Sequence, residues 1–250
     1  MNVGARIARG RTAGAAALVA ATLLAGGCAS MPSPSDSGGV FSALGQVDPL
    51  ERYNRAIFGF NEALDRSIVK PVARAYEAVI PEPGRMIVGN VFSNIGDLWV
   101  SANNLLQGRW RSSASDLGRF VINTTFGLFG MADLATDLGL QKNYTDLGLT
   151  FGRWGVLPGP YIVLPVFGPS NLRDGVGFVV ESAVDPVNTI DARGQRNSAI
   201  ALRILDARAN YLGTDSIIEG AALDRYLFVR DSYLQRRRYL VHEDKSPYGE

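Results

Sequence analysis

DPLERYNRAIFGFNEALDRSIVKPVARAY, residues Asp48 to Tyr76, decides the class of fold. Its apolar residues fall at Leu50, Tyr53, Ile57, Phe60, Leu64, Ile68, Val72 and Tyr76, three or four apart throughout. That period lines one face of an α-helix. Asp48 before Pro49 offers an N-cap followed by proline at the first helical position. Pro71 predicts a kink or interruption, and Pro81-Glu82-Pro83-Gly84 ends the segment and turns the chain. Working outward, a second helix is predicted over about Arg85 to Leu106, with Val88, Phe92, Ile95 and Trp99 on one side. Ala114 to Phe126 and Ser198 to Leu212 are amphipathic too. A last helix is expected from about Ser216 to Leu240, with Leu223, Leu227, Val229, Tyr233 and Leu234 packed inward. Period-two alternation never lasts, so residues 47–241 read as one all-α domain, followed by a short polar tail at 242–250.

Ahead of that domain, Arg6, Arg9 and Arg11 precede an Ala-rich apolar run from Ala13 to Ala25, ending at Gly26-Gly27-Cys28. Basic flank, short apolar core and small residues make 1–27 a secretory leader rather than a lasting membrane helix. Small residues before a cysteine predict that Cys28 is diacylated and becomes the mature N-terminus, although the expected leucine stands one place early, at Leu24. Ordinary leader cleavage beside an incidental cysteine is the alternative. Cys28 is the only cysteine, so no internal disulfide accounts for it, and acylation does. Several acyl chains anchor durably where one chain is marginal. Ala29, where an aspartate would retain the protein in the inner membrane, points to the outer membrane. Residues 28–46 are rich in Ser, Pro and Gly and read as an acylated flexible tether.

Without the three leader arginines, 22 basic residues face 24 acidic ones. That balance excludes a nucleic-acid surface. Two stretches are unusual. Phe126 to Leu140 is apolar and studded with glycine, and Trp154 to Leu172 carries no charge at all. The second approaches the ~20 residues that span a bilayer, yet Pro158, Pro160, Pro165 and Pro169 forbid a regular helix. Irregular backbone at membrane depth must be shielded by protein or a watery cavity. The segment therefore lies in a protein core, of a soluble domain or otherwise, or lines a cavity in a membrane-embedded body. Chemistry is sparse. His242, the one histidine, sits in the charged C-terminal tail, and neither a G-x-S-x-G elbow nor a phosphate-binding loop occurs. Asp133 and Asp137 are four apart and read either as a metal or acid–base pair or as capping and solvated groups. Arg236-Arg237-Arg238 reads as a phosphate contact or, preferably, a solvated face; Trp99, Trp110 and Trp154 suit either an interfacial belt or core packing.

The chain resembles the MlaA (VacJ) lipoprotein family. The resemblance rests on ordered blocks: Asp48 to Arg55, Phe60-Asn61, Leu64-Asp65, Val69 to Ala73, Val79 to Pro83, Phe92 to Ile95 and Asn103 to Gly108. It continues through Gly118 to Thr125, Trp154 to Val156, Gly159 to Pro165, Gly168 to Ser170, Leu172 to Asp174, Asp224 to Tyr226 and Val229 to Arg237. The chain departs from some relatives in lacking a long acidic tail beyond Arg238.

The resemblance implies a ring-shaped bundle of amphipathic helices in the inner leaflet of the outer membrane, with a central amphipathic channel. It further implies removal of mislocalised phospholipid from the outer leaflet to a soluble periplasmic carrier, beside a trimeric porin, with no cofactor, metal or catalysis. Asn61, Asn103, Asn104, Arg119, Asn123, Arg173 and Asp174 are the candidates to face or brace the channel, capping being the alternative for each asparagine. Gly127, Gly130 and Gly139 are candidate hinges of a gate or lip. Rival readings are a lipoprotein that braces porins without conducting lipid, and a phospholipase, against which the missing nucleophile–base pair argues.

Overall fold

The computed structural model describes residues 48–215 and 224–242. The leader, Cys28, the tether, Leu223, the start of the expected last helix and the tail after His242 lie outside the described residues. The domain is mostly helical. Helix α1 (Glu51–Leu64) passes through a π-helical turn (Asp65–Val69) into α2 (Lys70–Val79). Then come α3 (Glu82–Leu106), α4 (Trp110–Thr125), the short α5 (Leu134–Asp137) and α6 (Leu147–Arg153). Strands β1 (Tyr161–Leu164) and β2 (Gly168–Asn171) precede α7 (Leu172–Val184), α8 (Arg193–Asn210), a 3-10 turn (Leu212–Thr214) and α9 (Arg225–His242).

Pro71 does not break the first helix. The π turn ahead of it lets the Lys70 N–H bond Asp65 O, five residues back, and the helix absorbs the proline. Nor does Asp48 cap α1. Its carboxylate accepts from Asn54 Nδ2 at 2.8 Å and from the Tyr226 hydroxyl, tying the residues just before α1 to α9 instead.

The expectation of an all-α domain needs correcting. Within the chargeless stretch, β1 and β2 pair antiparallel, Tyr161 opposite Asn171 and Leu164 opposite Gly168. The other edge of β1 is paired by α1. Asn54 donates to Tyr161 O at 3.0 Å and accepts from Val163 N–H at 2.8 Å. Two helical turns on, Asn61 donates to Leu164 O at 2.9 Å and accepts from Val166 N–H at 2.7 Å. Side-chain amides thus stand where a third strand would, and the edge is satisfied. Tyr161, Val163 and Tyr226 form a small buried apolar cluster flanked by Phe58, Leu227, Tyr233 and Leu234.

Elsewhere the usual distribution is reversed. Among the described residues eight hydrophobic side chains are buried, against sixteen polar or charged ones. The long apolar stripe is only partly buried: Phe60 is 52% exposed and Ile68 56%, while Ile57 packs against the buried cluster and Asn54, close to it on the helix, is fully buried. Phe126, Leu128, Phe129, Val179 and Trp110 are each at least 65% exposed. Among the described residues no helix is long and apolar enough to cross a membrane.

Candidate functional site

The polar interior consists of two networks joined through α3. In the first, Arg119 of α4 is almost completely buried. Its guanidinium donates to Asp97 at 3.3 Å, Asp133 at 2.8 Å, Thr136 Oγ1 at 2.9 Å and Leu140 O at 2.7 Å. Lys142 pairs with the other Asp97 oxygen and donates to Ser93 Oγ at 2.6 Å. Asn123, one helical turn after Arg119, donates to Asp133 at 2.9 Å and accepts from the Ala135 N–H at 2.9 Å. Burial alone would raise the Asp133 carboxyl, but hydrogen bonds from Thr136, Arg119 and Asn123 hold it at about 2. Asp133 also caps α5 through the Thr136 N–H, while Asp137 is exposed. The pair is therefore capping and solvation. Among the described residues no cluster could hold a metal ion.

The glycine-rich segment is stitched to this network. Gly130 N–H donates to Asn123 O at 2.8 Å and Ala132 N–H to Gly127 O at 3.0 Å. Leu128, Phe129 and Gly130 are successive residues of positive φ, a conformation that costs leucine and phenylalanine energy and holds their side chains outward. Gly139, also of positive φ, lies one residue before the carbonyl that Arg119 binds.

The second network joins α3, α6, α7 and α9. Asn103 donates to Glu181 at 2.9 Å and accepts from Thr150 at 2.8 Å. Its neighbour Asn104 points a third of a turn away, into Asp116 at 2.8 Å, whose carboxyl burial raises. Asp174, at the start of α7, accepts from Arg173 at 2.9 Å, Asn171 at 2.6 Å and the Tyr233 hydroxyl at 2.6 Å. Arg237 of α9 lies 2.8 Å from Asp174 and grips Asp146 at 2.5 and 2.8 Å. Although buried, the Asp174 carboxyl is held below its usual range by Arg237, Tyr233 and Arg173. Glu181 is pushed up by burial, only partly offset by the Leu147 N–H.

These elements meet because α6 and α7 cross without side chains between them. A Cβ on Gly177 would stand 2.6 Å from Gly148 N, and one on Gly148 would meet Asp174 Cα at 2.8 Å. Nearby lies a cavity of about 220 Å³ lined by Asp146, Asp174, Glu181, Tyr233 and Arg237 together with Leu164, Phe167, Pro169 and Phe178. The chargeless stretch therefore does two things: Tyr161 and Val163 enter the core, while Leu164 and Phe167 wall a cavity.

The predicted residues thus fall in distinct places. Arg119 and Asn123 join the first network, with Gly127, Gly130 and Gly139 alongside. Asn103, Arg173 and Asp174 join the second; Asn104 holds Asp116, and Asn61 holds the hairpin. The solvated reading of the arginine run fails for Arg237, which is largely buried between two carboxylates. Asp97, Lys142, Asp146, Glu181 and Tyr233 were not singled out from sequence for these networks. Tyr226, Tyr233 and Arg237, seven and four residues apart, share one helical face, and that spacing is the signal that marks α9.

The MlaA lipoprotein family model matches residues 46–240. The intermembrane phospholipid transport system lipoprotein MlaA of Shigella flexneri is 32% identical over 230 residues, 90% of this chain and 88% of that one. Its counterpart in Escherichia coli (strain K12) matches with the same identity and coverage. An uncharacterised Rickettsia bellii protein is 31% identical over 200 residues, 80% of this chain and 78% of that one. A solved structure, described as the structural basis for maintenance of bacterial outer membrane lipid asymmetry, aligns with TM-score 0.69 at 30% identity. It covers 78% of this chain and 100% of that one.

Proposed function

Because the chain belongs to the MlaA lipoprotein family, we propose that it removes mislocalised phospholipids from the outer leaflet of the outer membrane and passes them to a soluble periplasmic carrier. In this reading residues 1–27 are removed, Cys28 is acylated, and 28–46 tether the domain 47–241 to the periplasmic side. The helices lie in the inner leaflet around an amphipathic passage, beside a trimeric porin, and a misplaced lipid moves downhill without nucleotide hydrolysis.

The inverted burial is the observation that carries this. Leaving a large apolar side chain in water rather than burying it costs roughly 1.5–3 kcal/mol, and contiguous exposed patches on soluble monomers are small. Exposed Phe60, Ile68, Val121, Phe126, Phe129 and Val179 are stable against acyl chains. The buried carboxylates, amides and guanidinia brace the interior by bonding one another, and the polar groups a head group would meet are those lining the cavity. Phe126 to Leu140 forms the lip, with Gly127, Gly130 and Gly139 setting its backbone and Phe126, Leu128 and Phe129 on its rim. A photo-reactive residue in place of Phe167 or Phe178, which wall the cavity, is the test. Labelled phospholipid captured there in cells supports transport through the domain. Capture of porin alone, with no lipid adduct at either position, defeats it.

A further inference from the structure

Glu181 is the cavity's unmatched charge. Both hydrogen bonds it accepts, from Leu147 N–H at 2.7 Å and Asn103 Nδ2 at 2.9 Å, fall on Oε1, and among the described residues no cation forms an ion pair with it. Arg237, by contrast, is held by two carboxylates: Nη1 and Nη2 donate to Asp146, and Nε lies 2.8 Å from Asp174 without the alignment of a hydrogen bond. An arriving phosphate would have to displace those carboxylates. The charged lining is Asp146, Asp174 and Glu181 against Arg237, with Arg173 paired to Asp174, so each of these two cations already holds a carboxylate. Phe167 and Phe178 line the same cavity, their ring centroids 4.6 Å apart. A carboxylate beside aromatic faces is a setting that receives an alkylammonium, through charge-assisted hydrogen bonds and cation–π attraction. The volume, about 220 Å³, is below the roughly 300–1,000 Å³ of sites enclosing a whole drug-sized ligand. It suits a head group, with the tails outside.

We propose that this cavity selects phospholipids whose head group ends in an ammonium, with Glu181 taking the ammonium and the packed Phe167–Phe178 pair beside it. The inference rests on the reading that phospholipid passes through this domain. The test is competition in wild-type protein. The acylated full chain, in detergent, is offered equimolar phosphatidylethanolamine and phosphatidylglycerol, and bound lipid is measured by mass spectrometry. Wild-type protein should enrich phosphatidylethanolamine about tenfold, the scale of one charge-assisted hydrogen bond. Glu181→Gln, which keeps the Oε1 acceptor, should bring the ratio near one by lowering bound phosphatidylethanolamine while bound phosphatidylglycerol does not fall. Water-soluble glycerophosphoethanolamine at the same concentration should not displace lipid.

Equal retention of both lipids by the wild type, or undiminished selectivity in Glu181→Gln, would overturn the inference while leaving transport standing. Displacement by the soluble head group would also overturn it, in favour of a site for free amines. Binding of neither lipid would sink the transport reading as well.

Discussion

Replacing Arg119 by leucine should unfold the domain well before it reveals anything about lipid passage. The side chain is 1% exposed and makes four hydrogen bonds, two of them to carboxylates. Leucine leaves Asp133 without a cation and Asp97 with Lys142 alone. Breaking a buried ion pair from one side costs about 3–5 kcal/mol; Lys142 places the expected loss in the lower part of that range. For a domain of this size each kcal/mol lowers the melting temperature by roughly 2–4 °C, so a loss of about 3–4 kcal/mol should melt the variant about 6–16 °C below wild type. Circular dichroism of the detergent-solubilised chain reads this directly. Arg119→Lys should fall between, because an ammonium cannot reproduce the guanidinium fork. Arg119→Leu combined with Asp133→Asn should recover part of the loss, since the orphaned carboxylate is gone. Retrograde transport should fall only as far as folded protein falls. A melting shift under about 2 °C for Arg119→Leu would refute the view of Arg119 as a buried strut.

Other expectations follow from the same contacts. Asn54→Leu leaves the Val163 N–H and Tyr161 carbonyl without their side-chain partner in a buried setting, at about 1–3 kcal/mol for each group; denaturant titration should show a lower midpoint with an unchanged slope. Gly177→Ala puts a methyl 2.6 Å from Gly148 N, and overpacking of that kind costs about 1–3 kcal/mol. It should lower the melting temperature, and the cavity-wall crosslinks should weaken as α6 and α7 separate. Asp133, held at about 2 against an ordinary 3.8, contributes stability that is whole above about pH 4 and is lost as the pH falls toward 2. Allowing for its one-third exposure, that limb amounts to no more than about 2 kcal/mol. Asp133→Asn should flatten it in acid-denaturation curves.

The stripe from Leu50 to Tyr76 was legible because spacing alone reveals a helix, but spacing does not say which face meets protein. Phe60, Ile68 and Val72, which would line a soluble core, point outward here, whereas Ile57 packs inward near Asn54. The hairpin escaped notice because the prolines within and just before it and its uniform apolarity hide alternation, and because its other edge is paired by Asn54 and Asn61, more than a hundred residues away. Asn103 and Asn104 were both singled out, yet adjacency on a helix sends them into different networks. Arg237 was overlooked inside a run of three arginines, where only its register with Tyr226 and Tyr233 separates it from its exposed neighbours. Glu181 and Asp146 have no local signature at all; their meaning arises from the crossing of α6 and α7 that Gly148 and Gly177 permit.

Spin labels at Ile68, Val121 and Val179, read by power-saturation in reconstituted outer-membrane vesicles, bear most directly on the inverted domain. Oxygen, which concentrates among acyl chains, should relax all three labels strongly, and a water-soluble nickel chelate should barely reach them. Labels relaxed by nickel as freely as one at surface-exposed Arg111 would place those faces in water and contradict the account.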